Sequence, residues 1–94
     1  GNFRVAPIRL RLNNNLINGL RIVEIDSVGP LYEKGASIND VIIRINNNEG
    51  SWKNLTSSLK FAGLGNNISF EIFSSNNTFK SIEIESSEIE ELTR

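Results

Sequence analysis

The 94-residue chain has no cysteine, no histidine and no methionine. Without cysteine it can form no disulfide, no thiolate metal site and no cysteine-dependent active site. Without histidine it lacks the most common general base and the most common zinc ligand in proteins. Because methionine is also missing, and the first residue is Gly1, we expect the sequence to be a fragment of a longer protein.

Neither sign of charge is in excess, since 10 Lys and Arg residues face 11 Asp and Glu residues, for a net charge of −1. Nucleic-acid-binding domains typically carry a strongly basic surface, so we expect no nucleic-acid partner.

No run of apolar residues approaches the roughly 18 that a membrane-spanning helix needs. We therefore expect any membrane attachment to come from other parts of the parent protein. The length of the chain fits one domain with a modest core.

Catalytic or metal-binding chemistry has little support in the residues that are present. Without histidine only a Ser–Lys pair could supply a nucleophile and its base, and the four lysines stand where solvated surface charge is typical. Glu83 and Glu85 occupy the outer face of a predicted strand, and the acidic residues after them lack the glycine turn of a calcium loop. We therefore expect no enzyme activity, no metal and no cofactor in this chain.

The apolar pattern predicts a mostly β structure. Alternation predicts a first strand from Phe3 to Leu12, with a bend at Ala6-Pro7 where the apolar phase changes. Pro7 cannot donate to a ladder, which places this strand at a sheet edge or outside pairing. Asn13-Asn14-Asn15 is a predicted turn. Further strands are predicted over Leu20 to Ile25, Val41 to Ile45, Ile68 to Ile72 and Phe79 to Glu85.

One long helix is predicted from Ser51 to Ala62, because its apolar residues form a single stripe. Ser51 is the expected N-cap, and Gly63 with Gly65 ends the helix. The acidic residues 86–94 form either a short helix, opened by a capping box at Ser87, or a frayed tail. We expect one buried cluster from the apolar phases of two strands and this helix: Val41, Ile43, Ile45, Ile68, Phe70, Ile72 and Leu59.

The most informative segment reads Gly-Pro-Leu-Tyr-Glu-Lys-Gly-Ala-Ser-Ile-Asn-Asp-Val-Ile-Ile-Arg-Ile-Asn-Asn from residue 29 to residue 47. Its physical meaning is a turn, one short helical turn capped by Gly35, a tight polar corner, and a buried strand that ends in a turn. It resembles the bacterial PDZ segment with the pattern small-Pro-small-x-x-x-Gly-Leu-x-x-Gly-Asp-x-Ile-x-x-Ile-Asn-Gly. Ala36 replaces the family leucine, and Asn39 and Asn47 replace two family glycines. Asparagine tolerates positive φ better than other non-glycine residues, so we expect positive φ at both.

The order of elements is similar to that of circularly permuted PDZ domains of bacterial envelope proteins, in which the strand that begins the animal-type domain comes last. The resemblance covers residues 3–85, and residues 86–94 follow as an acidic tail or short helix. It implies an α+β fold of PDZ type. The expected architecture is a small antiparallel five-stranded, partly open barrel or sandwich, capped by one long and one short helix.

The resemblance also implies a peptide-binding groove between an edge strand and the long helix, where an extended segment of a protein or peptide adds to the strand by β-augmentation. The matching elements are Ile8 to Leu12 and Trp52 to Ala62. Apolar residues would line the groove, Thr56 would hydrogen-bond a ligand side chain, and two arginines would flank it. Alternatively, the apolar residues are simply core. The candidate binding residues are Val5, Ala6, Ile8, Arg9, Leu10, Arg11, Leu55, Thr56 and Leu59.

The loop that holds a C-terminal carboxylate in PDZ domains differs most. The family presents successive backbone N–H groups from a glycine-containing loop, and the matching residues are Val5-Ala6-Pro7-Ile8. Pro7 has no N–H and no glycine is present. Loss of one charge-assisted donor costs about 1.5–3 kcal/mol, which argues against recognition of free C-termini.

Pro7-Ile8, the polar turn and the following Leu16 to Ile22 resemble the PDZ domain of the type II secretion inner-membrane component C, with Leu20 in place of the usual aromatic residue. This resemblance implies a non-catalytic protein-binding module of a secretion assembly that serves protein transport. The module would lie in the periplasm and be anchored to the inner membrane through the parent protein. The alternative is the regulatory, substrate-binding PDZ domain of a periplasmic serine protease of the HtrA or C-terminal-processing type.

Overall fold

Six strands and two helices form the computed structural model, which describes residues 3–62 and 67–85. The strands make one antiparallel sheet of order β1-β2-β3-β5-β6, in which the two-residue β4 pairs with β3. The fold is a small α+β domain. The elements are β1 (Phe3–Leu12), β2 (Asn15–Ile25), α1 (Pro30–Glu33), β3 (Val41–Ile45), β4 (Asn48–Glu49), α2 (Trp52–Ala62), β5 (Asn67–Phe73) and β6 (Phe79–Glu85).

The predicted order of elements is confirmed, and β4 is the one element that the pattern did not indicate. The predicted helix end at Gly63 and Gly65, and the predicted tail at residues 86–94, lie outside the described residues. Ser51 caps α2 as expected, since its Oγ accepts the N–H of Asn54 at 3.1 Å. Helix α2 packs against β3 and β5.

The first hairpin is longer than the sequence predicted. Asn13 and Asn14 have φ values of 51° and 67°, the two positive values that a tight type I′ turn needs. Strand β2 therefore begins at Asn15, where we expected it to begin at Leu20. Because β2 pairs with β3 only at Leu20 and Arg21, residues 8–19 form a two-stranded arm.

The predicted bend at Ala6-Pro7 is absent. The register between β1 and β2 is unbroken from Val5 to Leu12, and its one shift lies between Arg4 and Val5. The apolar residues of β1 change phase because different faces of the strand are buried along its length. Phe3 and Val5 face the main core, whereas the apolar residues of β1 within the arm lie on the opposite face of the strand. We call that opposite face, which lies away from α2, the outer face.

The main core lies between the sheet and α2. Fourteen buried side chains form it, and Trp52, Leu59 and Ile25 pack at its margin. It includes Ile45, Ile68, Phe70 and Ile72 as predicted, and Leu59 is only partly buried. The members are Phe3, Val5, Leu20, Ile22, Leu31, Ala36, Ile42, Ile45, Leu55, Ile68, Phe70, Ile72, Ile82 and Ile84.

The predicted phase of β3 is wrong at its start. Ile42, and neither Val41 nor Ile43, belongs to the main core. A register shift between Ile42 and Arg44 inserts an extra residue at Ile43, so Ile42 and Ile45 both face the core although three positions separate them. Val41 and Ile43 are buried outside that cluster, and Val41 Cγ1 lies close over Gly19 of the arm.

The corner at Asn39-Asp40 ties two distant parts of the chain together. Asp40 is 1% exposed, and its carboxylate accepts the N–H of Ser37 at 2.9 Å and the N–H of Ser75 at 3.2 Å. Lys80 Nζ lies 3.5 Å from the same carboxylate and also donates to the carbonyl of Gly35, the helix cap with φ of 106°. The expected corner is confirmed, and the structure adds that Asp40 joins it to the β5–β6 turn.

Both asparagines that replace family glycines adopt positive φ, 75° at Asn39 and 67° at Asn47, as predicted. Glycine reaches these angles at no steric cost, so Asn39→Gly and Asn47→Gly should each change the free energy of unfolding by less than about 1 kcal/mol. The matched variants Asn39→Val and Asn47→Val force a β-branched residue into the left-handed region and should each cost about 1–3 kcal/mol. Urea unfolding of the four variants measures both effects, and equal losses from glycine and valine would contradict the assignment.

Candidate functional site

Strand β1 is an edge strand, since β2 is its only neighbour among the described residues. In a type I′ turn the first residue accepts a hydrogen bond from the fourth, which makes Leu12 and Asn15 a hydrogen-bonded pair. Hydrogen-bonded and non-bonded pairs alternate along an antiparallel ladder. The even-numbered residues of β1 from Ile8 to Leu12 therefore bond to β2, and the backbone groups of Arg9 and Arg11 point away from β2.

Pro7 fits this edge. It pairs with Leu20, and by the same alternation its nitrogen points outward, where a missing N–H removes nothing from the ladder. The prediction that Pro7 belongs to an edge strand is confirmed. The open stretch of backbone consequently runs from Ile8 to Leu12, beyond the proline.

The other long edge of the sheet, along β6, is partly covered. Helix α1 lies beside β6, and Lys34 Nζ donates to the carbonyl oxygen of Glu83 in that strand at 2.8 Å. A strand added there would have to displace this contact. Among the described residues, the edge at Ile8 to Leu12 is therefore the better site for a new strand.

The two faces of the arm differ in chemistry. Ile8, Leu10 and Leu12 are half-buried and share the outer face, where Leu10 lies near Gly19. Arg9 and Arg11 are exposed and point to the opposite side, as the period of two requires. An edge with one apolar and one basic face is the result.

The helix residues of the predicted groove are differently placed. Leu55 is fully buried in the main core, and Leu59 packs at its margin. The Thr56 hydroxyl donates within its own helix, with the carbonyls of Trp52 and Lys53 both at 3.1 Å. The structure therefore does not bring Ile8 and Leu10, on the outer face, together with Leu55 and Leu59.

The residues that match the carboxylate loop lie within a regular strand. Val5 is buried in the core, Ala6 is half-buried, and both pair with β2 in the same register as Ile8. Backbone N–H groups in a strand point alternately to opposite sides, so they cannot converge on one anion as they do in a nest. This geometry adds a second reason, beside Pro7, to expect little affinity for a free carboxylate.

Sequence patterns did not reveal a cleft of about 750 Å³ between the arm and the outer face of β3, β5 and β6. Its rim carries two exposed apolar side chains, Leu16 at 55% and Phe79 at 61% exposure, and the Phe79 ring lies 5.1 Å from that of Phe73. An ion pair between Arg44 and Glu71, at 3.2 Å, lies along it. Among the described residues that line it, none belongs to the predicted binding set. The available signal was Phe79, an aromatic residue in the polar phase of its strand.

The described residues give little support for a metal site or a membrane-spanning helix. Within residues 3–62 and 67–85 no three His, Cys, Asp or Glu side chains come together as a metal-binding group. Neither helix in the described ranges has the length and hydrophobicity needed to cross a membrane. Comparison with known proteins adds no relative: no family model, no curated protein and no solved structure matches this chain.

Proposed function

We propose that this chain is a non-catalytic protein-interaction module of the PDZ type, which binds an extended segment of a partner protein by β-augmentation. The observation that carries the proposal is the open backbone of β1 from Ile8 to Leu12, on a strand of 10 residues. Proteins usually shorten or cover such edges, because unpaired N–H and C=O groups are a template for another strand. Within residues 3–62 and 67–85 this edge has no covering element and the opposite edge has one, which favours use of the first as a binding site.

The resemblance of the first hairpin to component C of type II secretion is the basis for the proposed setting. That setting is a secretion assembly in the periplasm, where the parent protein anchors the module to the inner membrane and the module recruits another protein. Pro7 at the edge and the absence of a carboxylate nest favour this setting over the substrate-binding PDZ domain of a periplasmic protease. The residues that precede the chain in its parent gene provide the test, since a His-Asp-Ser protease domain there would contradict it.

Arg9→Pro tests strand addition directly. Arg9 occupies the same outward-facing phase as Pro7, so proline there should leave the free energy of unfolding within about 1 kcal/mol of the parent value. It removes one outward N–H and places a ring in the path of an incoming strand, so peptide affinity should fall at least about tenfold. Leu10→Pro is the matched control: its N–H bonds to β2, and its loss should destabilise the domain by about 3 kcal/mol.

The measurement is a titration of the ¹⁵N-labelled domain with an amidated seven-residue peptide in which valine alternates with glutamine. We expect the amide signals of Arg9 and Arg11 to shift in the parent domain. Arg9→Pro has no amide at position 9, so the result there is read from Arg11, whose shift should vanish. Arg9→Gln keeps the N–H and should still bind. The same peptide with a free C-terminus should bind with nearly equal affinity. Shifts at α2 in place of β1, or loss of binding on amidation, would overturn the proposed mode.

A further inference from the structure

The arginines of the described strands divide into two groups. Three have side-chain partners: Arg4 bonds to Glu24 at 2.9 Å, Arg44 to Glu71 at 3.2 Å, and Arg21 to Asn39 Oδ1 at 3.0 Å. Arg9 and Arg11 have no hydrogen bond or ion pair within residues 3–62 and 67–85. The two side chains without partners are the two on the open edge.

The cross-strand neighbours of these two arginines supply no negative charge. Arg9 pairs with Asn18 and Arg11 pairs with Leu16. By contrast, Arg4 and Arg44 each stand opposite a glutamate in the ladder. Two positive side chains two positions apart lie roughly 7 Å from one another on one face of a strand. The Glu49 carboxylate accepts from the Asn18 side chain at 3.0 Å and has no ion pair with either arginine. Directly opposed opposite charges stabilise neighbouring strands, so the missing partners belong on a strand that would lie on the other side of β1.

The outer face of β1 determines which other side chains the partner strand should carry. Ile8, Leu10 and Leu12 present half-buried apolar side chains on the outer face, and Leu12 also lines the cleft at the arm tip. A strand added to β1 places its own side chains alternately beside the arginines and beside these apolar residues. The side chains next to the apolar row gain most when they are apolar themselves.

We propose that the partner segment is an extended strand in which acidic residues alternate with apolar residues. Two carboxylates at positions i and i+2 pair with Arg9 and Arg11, and the apolar residues between and beside them cover Ile8, Leu10 and Leu12. This inference rests on strand addition at β1, the proposed function. A polypeptide is favoured over a nucleic acid because only a backbone with alternating N–H and C=O groups can pair with the outward groups of this edge.

The test uses three amidated seven-residue peptides, in which valine alternates with glutamate, with glutamine or with lysine. They are titrated into the ¹⁵N-labelled domain, and the dissociation constant is read from the amide shifts of Arg9 and Arg11. We expect the glutamate peptide to bind about five- to tenfold more tightly than the glutamine peptide, and the lysine peptide to bind most weakly. The preference for glutamate should decrease when NaCl is raised from about 50 mM to about 500 mM, because exposed charges are screened.

The double variant Arg9→Gln/Arg11→Gln should bind the glutamate and glutamine peptides equally. Arg4→Gln/Arg44→Gln is the matched control: it removes the same charge from arginines that already have partners, and should keep the preference. If all three peptides bind with equal affinity and shift the amides of Arg9 and Arg11, the proposal of an acidic partner strand is overturned and strand addition at β1 is supported. If none shifts them, or if Arg9→Pro leaves binding unchanged, strand addition itself fails. Tighter edge binding by a single-stranded DNA oligonucleotide than by the glutamate peptide would also overturn the inference.

Discussion

Asp40→Ala should lower the free energy of unfolding by about 2–5 kcal/mol. The Asp40 carboxylate accepts the backbone N–H groups of Ser37 and Ser75, and alanine leaves both donors without an acceptor. Each unsatisfied, partly buried donor costs about 1–3 kcal/mol. The ion pair with Lys80 adds less, because the lysine side chain is a third exposed and its charge is partly screened.

Two further variants separate this role from a general effect of losing a carboxylate. Asp40→Asn keeps one acceptor oxygen and should lie between alanine and the parent protein. Asp26→Ala removes an exposed carboxylate that, among the residues the structure describes, accepts only the N–H of Val28, two positions on, at 3.3 Å. It should cost less than about 1 kcal/mol. The free energies come from urea unfolding, with slopes compared to check that the unfolded states are alike. Equal losses for Asp40→Ala and Asp26→Ala would show that Asp40 does not hold the corner.

Ile42→Ala should cost about 3–5 kcal/mol, and Ile43→Ala about 1–2 kcal/mol. Ile42 has no exposed surface and lies in the main core, so alanine leaves a cavity between the sheet and α2. Ile43 is 8% exposed, lies outside that core and lines the open cleft, so neighbouring side chains and water can fill the space. The two variants differ by one position on the same strand and lose the same atoms. Unfolding in urea compares them, and a larger loss at Ile43 would contradict the observed phase of β3.

The local signals in the sequence predicted most of the fold. The bounds of β1, β3 and β6 agree with the alternation, and the turn asparagines have the positive φ that their positions required. In strand β3 the local signal is not sufficient. Val41, Ile42 and Ile43 are all apolar, so the alternation of apolar and polar residues does not indicate which of them faces the core. The observed phase goes with a contact from outside the strand: the Gly50 N–H donates to the Ile43 carbonyl at 3.1 Å, and its missing side chain permits close contact with the backbone of Ile42 and Ile43.

The sequence also predicted some features of the candidate site and not others. The sequence predicted the edge strand and the significance of Pro7, because both depend on β1 alone. It could not assign faces across the sheet. The register of β2 with β3 pairs Leu20 with Ile42 on the core face, so Gly19 and its partner Ile8 lie on the other face, away from Leu55. It also could not reveal the cleft, since three strands and the arm must meet before its walls exist.

The arm has a thermodynamic consequence for recognition. Residues 8–19 pair only with each other, and an isolated two-stranded ribbon is marginally stable in water. Outside the ladder, Asn18 donates to Glu49 at 3.0 Å and Gly19 lies under Val41, so these contacts hold the arm to the rest of the sheet. We expect the receiving strand to open at a lower free energy than the centre of the sheet. An incoming strand would turn this ribbon into a three-stranded sheet and restrict its motion. Part of the interaction energy would then be spent on ordering the arm, so a complex of modest affinity could still change the local dynamics strongly.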